Sequence, residues 1–299
     1  MPGTPFEPVF HPHGRVSASP LPSREELQRF YADLYYQSTQ SATYQAEYGD
    51  LDLRHKSLRC ETLLQALREA GLQQGDSFLD IGAGEGFLMD AADRSGLAVT
   101  GVDYSSFGVE KFFSRLRPRL AVGEIIDQLD GFAAEGLQFA ASSAINVLEH
   151  IVDPEAFLAS VGAVLRPRGL LAITVPNDYS KLQALLRQEQ RIDRDFWFSP
   201  PQHLQYFNAD SLPRFCAANG FELVDGFSDF PIDLYLLHPG SNYVMEPANG
   251  PAAHRARLLH DLLIAEKGVA TYLRFYRALF EVGGGRNITV ILRRAVPSS

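Results

Sequence analysis

The fold is decided by Phe78-Leu-Asp-Ile-Gly-Ala-Gly-Glu-Gly-Phe87, in which a short apolar strand runs into glycines and then into a helix. Gly82, Gly84 and Gly86 let the backbone turn sharply and let a ligand approach without interference from Cβ atoms. Open α/β sheets bind ligands at the carboxyl ends of their strands, where this turn is expected. The dinucleotide fingerprint needs a small residue at its sixth position, but Phe87 stands there. The turn therefore favours another nucleotide-like ligand.

A carboxylate ends the next predicted strand, Leu97-Ala-Val-Thr-Gly-Val-Asp103. Because consecutive strands end side by side, Asp103 is expected to accept hydrogen bonds from both hydroxyls of a ribose at the glycine turn. Tyr104 follows directly and is expected to pack against the adenine. The glycines alone are equally compatible with a purely structural turn. Turn and aspartate in register on consecutive strands favour a nucleotide site.

Short buried strands alternate with helices from residue 77 onwards, which is typical of a parallel sheet with helices on both faces. The predicted strands are 77–82, 97–103, 119–126, 138–146, 169–175, 221–227 and 287–293. The predicted helices are 23–36, 53–70, 85–95, 105–116, 153–165, 208–219, 252–266 and 269–281. The fold class is therefore α/β with a doubly wound, Rossmann-like sheet.

These motifs resemble the first two motifs of class I methyltransferases, which use S-adenosylmethionine (SAM). The segment 146–154, NVLEHIVDP, is similar to their VLEH-x-x-D-P segment after the fourth strand. The segment 165–177, LRPRGLLAITVPN, is similar to their L-x-P-G-G-x-L-x-I-x-x-P-N segment, with Arg168 in place of the first glycine. The resemblance covers about 77–227. It implies a seven-stranded sheet that ends in an antiparallel hairpin, with SAM as donor and S-adenosylhomocysteine as product.

The resemblance also implies roles for individual residues. Asp80 would reach the methionine amino group, the glycines would contact methionine and ribose, and Asn146 would line the methionine end. The adenine side is less defined, because the common G-D-A pattern is absent after the third strand; Ile126 is one candidate there. The predicted cofactor-binding residues are Asp80, Gly82, Ala83, Gly84, Gly86, Asp103, Tyr104, Glu124, Ile125 and Asn146.

Methyl transfer is an in-line displacement, so the protein must align the acceptor with the methyl group and exclude water. A general base is needed only if the acceptor must lose a proton, and His150 and His203 are the candidates. His150 has the alternative role of holding its loop by a hydrogen bond. His203 resembles the histidine of a P-x-H-x-x-x-F segment on the substrate side of similar proteins. Glu149 is expected to position other groups, and no metal site is predicted.

The chain divides into four predicted parts: a flexible arm over 1–20, a helical cap or lid over 21–72, the core over 73–228 and 284–296, and a helical insertion over 229–283. Placed between the last two strands, the insertion is expected to shape the acceptor pocket; packing or a dimer interface is the alternative. The predicted substrate-binding residues are Tyr35, His203, His238, Asn242 and Tyr243.

Composition excludes several classes of partner. The formal charge is 27 − 36 = −9 with no long run of Lys and Arg, so nucleic acid is not expected as a substrate. The longest apolar runs fall far below the roughly 20 residues that cross a bilayer, so no membrane span is expected. Cys60 and Cys216 lie in apolar helical patterns, as buried thiols of a cytoplasmic protein would. A homodimer stays open.

The leading hypothesis is a cytoplasmic SAM-dependent methyltransferase that acts on oxygen or carbon of a small-molecule metabolite in a biosynthetic pathway. Within the family, the chain looks most like the ubiquinone-type O-methyltransferases and the sugar-modifying methyltransferases. It lacks the Cys-rich, zinc-binding N-terminus of the sugar C-methyltransferases. Two alternatives remain: a catalytically silent SAM-binding protein that acts by interaction, and a nucleotide-cofactor oxidoreductase, which Phe87 disfavours.

Overall fold

The computed structural model describes residues 6–23, 26–27 and 48–295. Its strands are, in chain order, β1 (Glu7–Phe10), β2 (Val16–Ser19), β3 (Ser77–Ile81), β4 (Ala98–Asp103), β5 (Leu120–Val122), β6 (Phe139–Ile145), β7 (Leu165–Pro176), β8 (Gln205–Tyr206), β9 (Phe221–Ser228) and β10 (Asn287–Arg294). Its α-helices are α1 (Asp50–Glu69), α2 (Phe87–Arg94), α3 (Phe107–Phe113), α4 (Ile125–Ala134), α5 (Pro154–Val164), α6 (Lys181–Gln188), α7 (Ser211–Ala218), α8 (Gly250–Ala265) and α9 (Val269–Glu281).

The main sheet has seven strands in the order β5-β4-β3-β6-β7-β10-β9. β3 pairs in parallel with β4 and β6, whereas β10 runs antiparallel to both β7 and β9. The predicted doubly wound sheet with an antiparallel end is confirmed. From β3 the chain moves outwards to β4 and β5 and then returns to β6 on the other side. β3 and β6 therefore flank the reversal of strand order, where such sheets open a ligand-binding crevice.

Apolar side chains cover both faces of this sheet. On one face, Leu79 and Ile81 of β3 belong to a buried cluster that includes Phe157 of α5 and Phe215 of α7. On the other face, Phe78 belongs to a second cluster with residues of α1, α2 and α9. Burial on both faces is the expected environment of a central parallel strand. The carboxyl ends of β3 and β6 are thus held by strands that are packed on both faces.

The first described residues form structure that the sequence did not predict. β1 and β2 make an antiparallel hairpin, and β2 pairs with β8 to complete a three-stranded sheet. Val16 and Ala18 are 2% and 1% exposed, in a cluster with Leu204 and Tyr206. The prediction of a flexible arm over 1–20 is therefore wrong for 7–19. Its order comes from contacts with distant residues, which its local composition does not reveal.

Two helices of the core were also not predicted. The predicted strand 119–126 ends at Val122, because the Glu124 carboxylate accepts a hydrogen bond from the Asp127 amide at 2.9 Å and so starts α4. α6 begins at a capping box in which Ser180 and Gln183 bond each other's backbone. Each of these helices spans ten residues or fewer. Their apolar periodicity is consequently too short to stand out.

The segment between β9 and β10 holds 3-10 turns followed by α8 and α9, which match the predicted helices 252–266 and 269–281. α9 packs on β9 and α1, so this segment is joined to both the core and the first long helix. Most of the predicted helix 23–36, with Tyr35, lies outside the described residues. Within residues 6–23, 26–27 and 48–295, no helix has the length and apolar character to cross a membrane.

Candidate active site

A cavity of about 1000 Å³ opens at the carboxyl edge of the main sheet. Its walls come from the loops after β3, β4, β5 and β6, from α1, and from the ends of β9 and β10. Nine of the ten predicted cofactor-binding residues line it, and Gly86 stands at the start of α2 beside it. The topology predicted this position, since the crevice lies where the strand order reverses.

The glycine turn after β3 depends on conformations that only glycine adopts easily. Gly82, Gly84 and Gly86 have φ angles of +72°, +55° and +83°. A Cβ atom added at Gly82 would lie less than 3.0 Å from Cγ2 of Val147, and one added at Gly108 would approach the carbonyl oxygen of Gly84 as closely. The turn is therefore packed against the loop after β6 on one side and against α3 on the other, and its backbone faces the cavity.

Asp103 is held at the end of β4 by two backbone amides. Its Oδ2 accepts a hydrogen bond from the Gly84 amide at 2.8 Å, and its Oδ1 accepts one from the Ser105 amide at 2.9 Å. Burial raises the pKa of Asp103 above its ordinary value, although these amides oppose the shift. Each oxygen keeps acceptor capacity beyond its amide bond. The carboxylate is thus fixed beside the glycine turn and suited to accept hydroxyl donors.

Asp80, inside β3, lies at the bottom of the same cavity. Its Oδ1 accepts a hydrogen bond from the Ser143 hydroxyl of β6 at 2.8 Å. Burial raises the pKa of Asp80 to about 7, while the Ser143 bond lowers it and the charge of Asp103 raises it further. A buried carboxylate of this kind is stabilised by a cationic partner. Its surroundings fit the ammonium group of a bound amino acid moiety.

The third wall of the cavity is built around the start of α4. The Tyr104 hydroxyl donates to Oε1 of Glu124 at 3.1 Å, while Oε2 of Glu124 caps α4. Ile125 is buried next to them, and Tyr104 keeps 46% of its surface exposed. A flat aromatic ring beside an apolar side chain suits a purine base. The predicted adenine-side residues therefore lie together.

Glu149, His150 and His203 meet at the other end of the cavity. Glu149 and His150 lie in the 3-10 turn Leu148–His150 after β6, and His203 precedes β8. The two imidazole rings stand 5.0 Å apart at 78°. A ligand oxygen of Glu149 and a ring nitrogen from each histidine lie within 4.8 Å of one another. The sequence predicted no metal site, but the structure brings together three residues of the types that bind metals.

Burial governs the protonation of this cluster. It lowers the pKa of His203 to about 3, helped by the charges of His150 and Arg286. It lowers the pKa of His150, although the hydrogen bond to the Gln202 carbonyl opposes this, and it raises the pKa of Glu149 to about 8. The lowered pKa disfavours His203 as the general base for which the sequence made it a candidate. A neutral imidazole of such low basicity is a poor general base but a competent ligand or hydrogen-bond partner.

The predicted substrate residues of the insertion do not line the cavity. The Asn242 amide donates to the carbonyls of Arg191 and Leu236 at 2.7 and 3.0 Å. The Tyr243 hydroxyl donates to the Asp233 carboxylate at 2.7 Å. The His238 ring accepts from the Gly240 amide at 3.1 Å. Their prediction as pocket residues is wrong, because their polar groups organise the insertion itself. Tyr35 lies outside the described residues.

Other residues line the cavity without having been predicted. α1 contributes Lys56, Arg59 and Cys60, and α9 contributes Tyr272. The remaining polar lining on this side comes from the ends of β7, β9 and β10 and is formed by Thr174, Ser228, Asp229, Asn287 and Thr289. The amphipathic pattern of α1 marked a helix with a buried face. It did not indicate which part of that face meets a ligand.

Residues 53–225, more than half of the chain, match the family described as a methyltransferase domain. The ubiquinone biosynthesis O-methyltransferase of Rhizobium johnstonii is 27% identical over 173 residues, which are 56% of this chain and 68% of that protein. The mitochondrial ubiquinone biosynthesis O-methyltransferase of Schizosaccharomyces pombe is 32% identical over 124 residues, which are 40% of this chain and 44% of that protein.

The fold has a counterpart among solved structures. The 1,6-didemethyltoxoflavin-N1-methyltransferase of Burkholderia thailandensis, with 1,6-didemethyltoxoflavin and S-adenosylhomocysteine bound, has a TM-score of 0.51 at 16% identity. The match covers 97% of this chain and 100% of that one. Together with the family match over residues 53–225, the glycine turn and the strand order, this identifies the chain as a member of the class I SAM-dependent methyltransferases.

Proposed function

We propose that the chain transfers the methyl group of SAM to an oxygen atom of a small-molecule acceptor. The observation that carries this proposal is the polar cluster of Glu149, His150 and His203 in the cavity that also contains the glycine turn and Asp103. An O-methyltransferase needs, beside the methyl donor, groups that accept a hydrogen bond from the acceptor hydroxyl or otherwise hold it in place. The names of the two ubiquinone-pathway relatives support oxygen as the methylated atom.

In this proposal the residues around the glycine turn hold SAM. Asp80 would bind the ammonium group of the methionine part, Asp103 the ribose hydroxyls, and Tyr104 with Ile125 the adenine. Gly84 leaves the backbone open to the ligand, since a Cβ added there would have only the Gly82 carbonyl oxygen within 4 Å. Bound there, SAM supplies an electrophilic methyl group. The protein's part is to align the acceptor, exclude water and hold the charged groups of the donor.

The cavity is large enough for donor and acceptor together. Ligand pockets usually span about 300–1,000 Å³, and this one lies at the upper end with about 1000 Å³. Tyr272 and Asp229, from the segment that follows β9, line its far side. This supports a role of the insertion in shaping the acceptor pocket. Leu63, Ile151 and Phe227 add apolar wall, which suits an acceptor with an apolar body and a polar end.

Two experiments test the proposal. Calorimetry with SAM, S-adenosylhomocysteine and NAD is expected to detect the first two and not the third; the Phe87 ring, packed between Phe112 and Phe113, occupies the place of the small fingerprint residue. Incubation with SAM carrying a carbon-13 methyl group and a metabolite extract is expected to yield a labelled methyl ether. A label on nitrogen or carbon in the product would refute oxygen as the acceptor atom.

A further inference from the structure

We propose that Glu149, His150 and His203 bind a divalent first-row transition-metal ion at the acceptor end of the cavity. Their donor atoms lie within 4.8 Å of one another. All three residues line the cavity, so an ion there would keep coordination positions facing a bound molecule. The metal site stands on this geometry alone, whereas the catalytic use of the ion rests on the function proposed above.

Glu149 is the residue that most needs such a partner. Glu149 is 1% exposed. Its Oε2 atom has no hydrogen-bond partner among residues 6–23, 26–27 and 48–295. The buried Nδ1 of His203 likewise has none within the same part of the chain. Buried polar atoms are nearly always partnered, and unpaired ones indicate strain, a missing ion or a catalytic role. A cation between Glu149 and His203 satisfies both.

Hydrogen bonds of the backbone hold the two halves of the cluster together. The Leu204 amide donates to the Glu149 carbonyl at 2.7 Å, so the loop before β8 is fastened to the turn after β6. The Nδ1–H of His150 donates to the Gln202 carbonyl at 2.6 Å. Such a bond fixes the tautomer that carries its lone pair on Nε2, as it does for many metal-bound histidines. The ligands are therefore oriented before an ion arrives.

The spacing fits a metal with short bonds to nitrogen and oxygen. Ligands at about 2.1 Å from an ion lie at most about 4.2 Å from each other. The donor atoms of the three residues lie within 4.8 Å of one another. Small side-chain rotations would bring them to the separation that a bound ion requires. Two imidazoles and one carboxylate suit Zn²⁺, Mn²⁺, Co²⁺ or Fe²⁺. Mg²⁺ and Ca²⁺ prefer oxygen ligands, so they are expected to bind weakly here.

The charges around the cluster leave room for a cation. Arg286 acts electrostatically on Glu149 and His203. Its guanidinium is balanced by Asp178, whose carboxylate lies 2.7 Å away, and by Asp233 at 3.9 Å. The arginine therefore does not neutralise Glu149 directly. The Oε2 atom of Glu149 therefore remains available as a ligand for the ion.

In catalysis the ion would bind the acceptor hydroxyl and lower its pKa. The hydroxyl proton passes to water, and the oxygen forms a bond to the methyl carbon while the bond between that carbon and sulfur breaks. The electron pair of the broken bond stays on sulfur, and S-adenosylhomocysteine leaves as a neutral thioether. With more than one open position, the ion favours an acceptor that carries a second oxygen donor beside the hydroxyl.

The direct test is a Co²⁺ titration of the untagged chain after treatment with EDTA and dialysis, followed by visible absorption and repeated with Zn²⁺ as competitor. One Co²⁺ per chain is expected. Glu149→Gln and His203→Asn should each weaken binding by at least about 10-fold, as the loss of a ligand does. The control His238→Asn changes an exposed histidine away from the cavity and should bind as the wild type does.

SAM calorimetry on the same variants separates the possible failures. Retained SAM affinity shows that Glu149→Gln and His203→Asn are folded, and Asp103→Ala is expected to lose SAM while it keeps Co²⁺. Absence of stoichiometric Co²⁺ binding by the wild type, or equal binding by the ligand variants, overturns the metal site. Stoichiometric binding supports the site even where no acceptor is methylated, an outcome that would count against the proposed function alone.

Discussion

A methyl group added at Gly82 tests how tightly the turn after β3 is built. Gly82 has a φ of +72°, and a Cβ atom there would lie less than 3.0 Å from Cγ2 of Val147. The left-handed backbone costs an ordinary residue about 1–2 kcal/mol, and overpacking adds roughly 1–3 kcal/mol. Gly82→Ala is therefore expected to lower the free energy of unfolding by about 2–5 kcal/mol.

Gly75 provides the matched control for this substitution. It has a φ of +86°, and an added Cβ would meet nothing within 4 Å. Gly75→Ala thus carries the backbone cost of about 1–2 kcal/mol alone, and the difference between the two variants measures the clash. Val147→Ala removes the opposing methyl groups. The double variant Gly82→Ala with Val147→Ala should lose roughly 1–3 kcal/mol less than the sum of the single losses.

Urea denaturation followed by fluorescence measures these free energies, because the single tryptophan, Trp197, is buried and reports on unfolding. Calorimetry then measures the SAM affinity of the folded variants, which falls if the glycine turn after β3 has moved. Gly82→Ala is expected to weaken SAM binding, since Val147 is β-branched and cannot turn aside without shifting the loop after β6. Equal stability losses at Gly75 and Gly82, or no coupling with Val147, would refute the reasoning.

Three further predictions concern charged or titratable side chains of the cavity. Asp103→Ala should weaken SAM binding by at least about 10-fold, because hydrogen bonds to charged groups contribute about 1.5–3 kcal/mol each; unchanged affinity in calorimetry would mean that the ribose binds elsewhere. The folded-state pKa of Asp80, about 7, exceeds its unfolded value near 3.9, so stability falls as the pH rises between these values. Asp80→Asn should therefore stabilise the chain by roughly 1–3 kcal/mol more at pH 8 than at pH 5 in urea denaturation, and an equal gain at both would contradict the shift. Cys60 lines the cavity, but burial raises its pKa to about 12, so Ellman's reagent at pH 8 should label it far more slowly in the native chain than after unfolding, and equal rates would disprove this.

The donor side of the site was predictable because each of its parts lies at the end of a strand. A glycine-rich turn, or a carboxylate directly after an apolar run, can be recognised within a stretch of about ten residues. The bond from the Gly84 amide to Asp103, at 2.8 Å, then joins two motifs that the sequence had already placed on neighbouring strands. The sheet order followed from the same alternation of strands and helices.

The acceptor side was predictable only in part: His150 and His203 were named from the sequence and line the cavity, but their meeting with Glu149 depends on long-range packing. His203 reaches Glu149 and His150 by way of the Leu204 amide and the Gln202 carbonyl, and no periodicity encodes those bonds. The error at Asn242 and Tyr243 has the complementary cause. Polar side chains in an irregular segment satisfy their neighbours' backbone or carboxylates as readily as a ligand, and sequence does not distinguish these uses.

The register of β3 against β6 explains why the two sides meet. Asp80 stands opposite Ser143, so the chain leaves both strands at the same level, into the glycine turn on one side and towards Glu149 on the other. Hydrogen bonds of the sheet therefore fix the separation between the glycine turn after β3 and the turn that carries Glu149 after β6. If the proposed function holds, substitutions at Asp229 or Tyr272 of the insertion are expected to alter the acceptor without moving the glycine turn. A sheet that fixes the donor site, with a separate segment that shapes the acceptor pocket, would let one fold serve many acceptors.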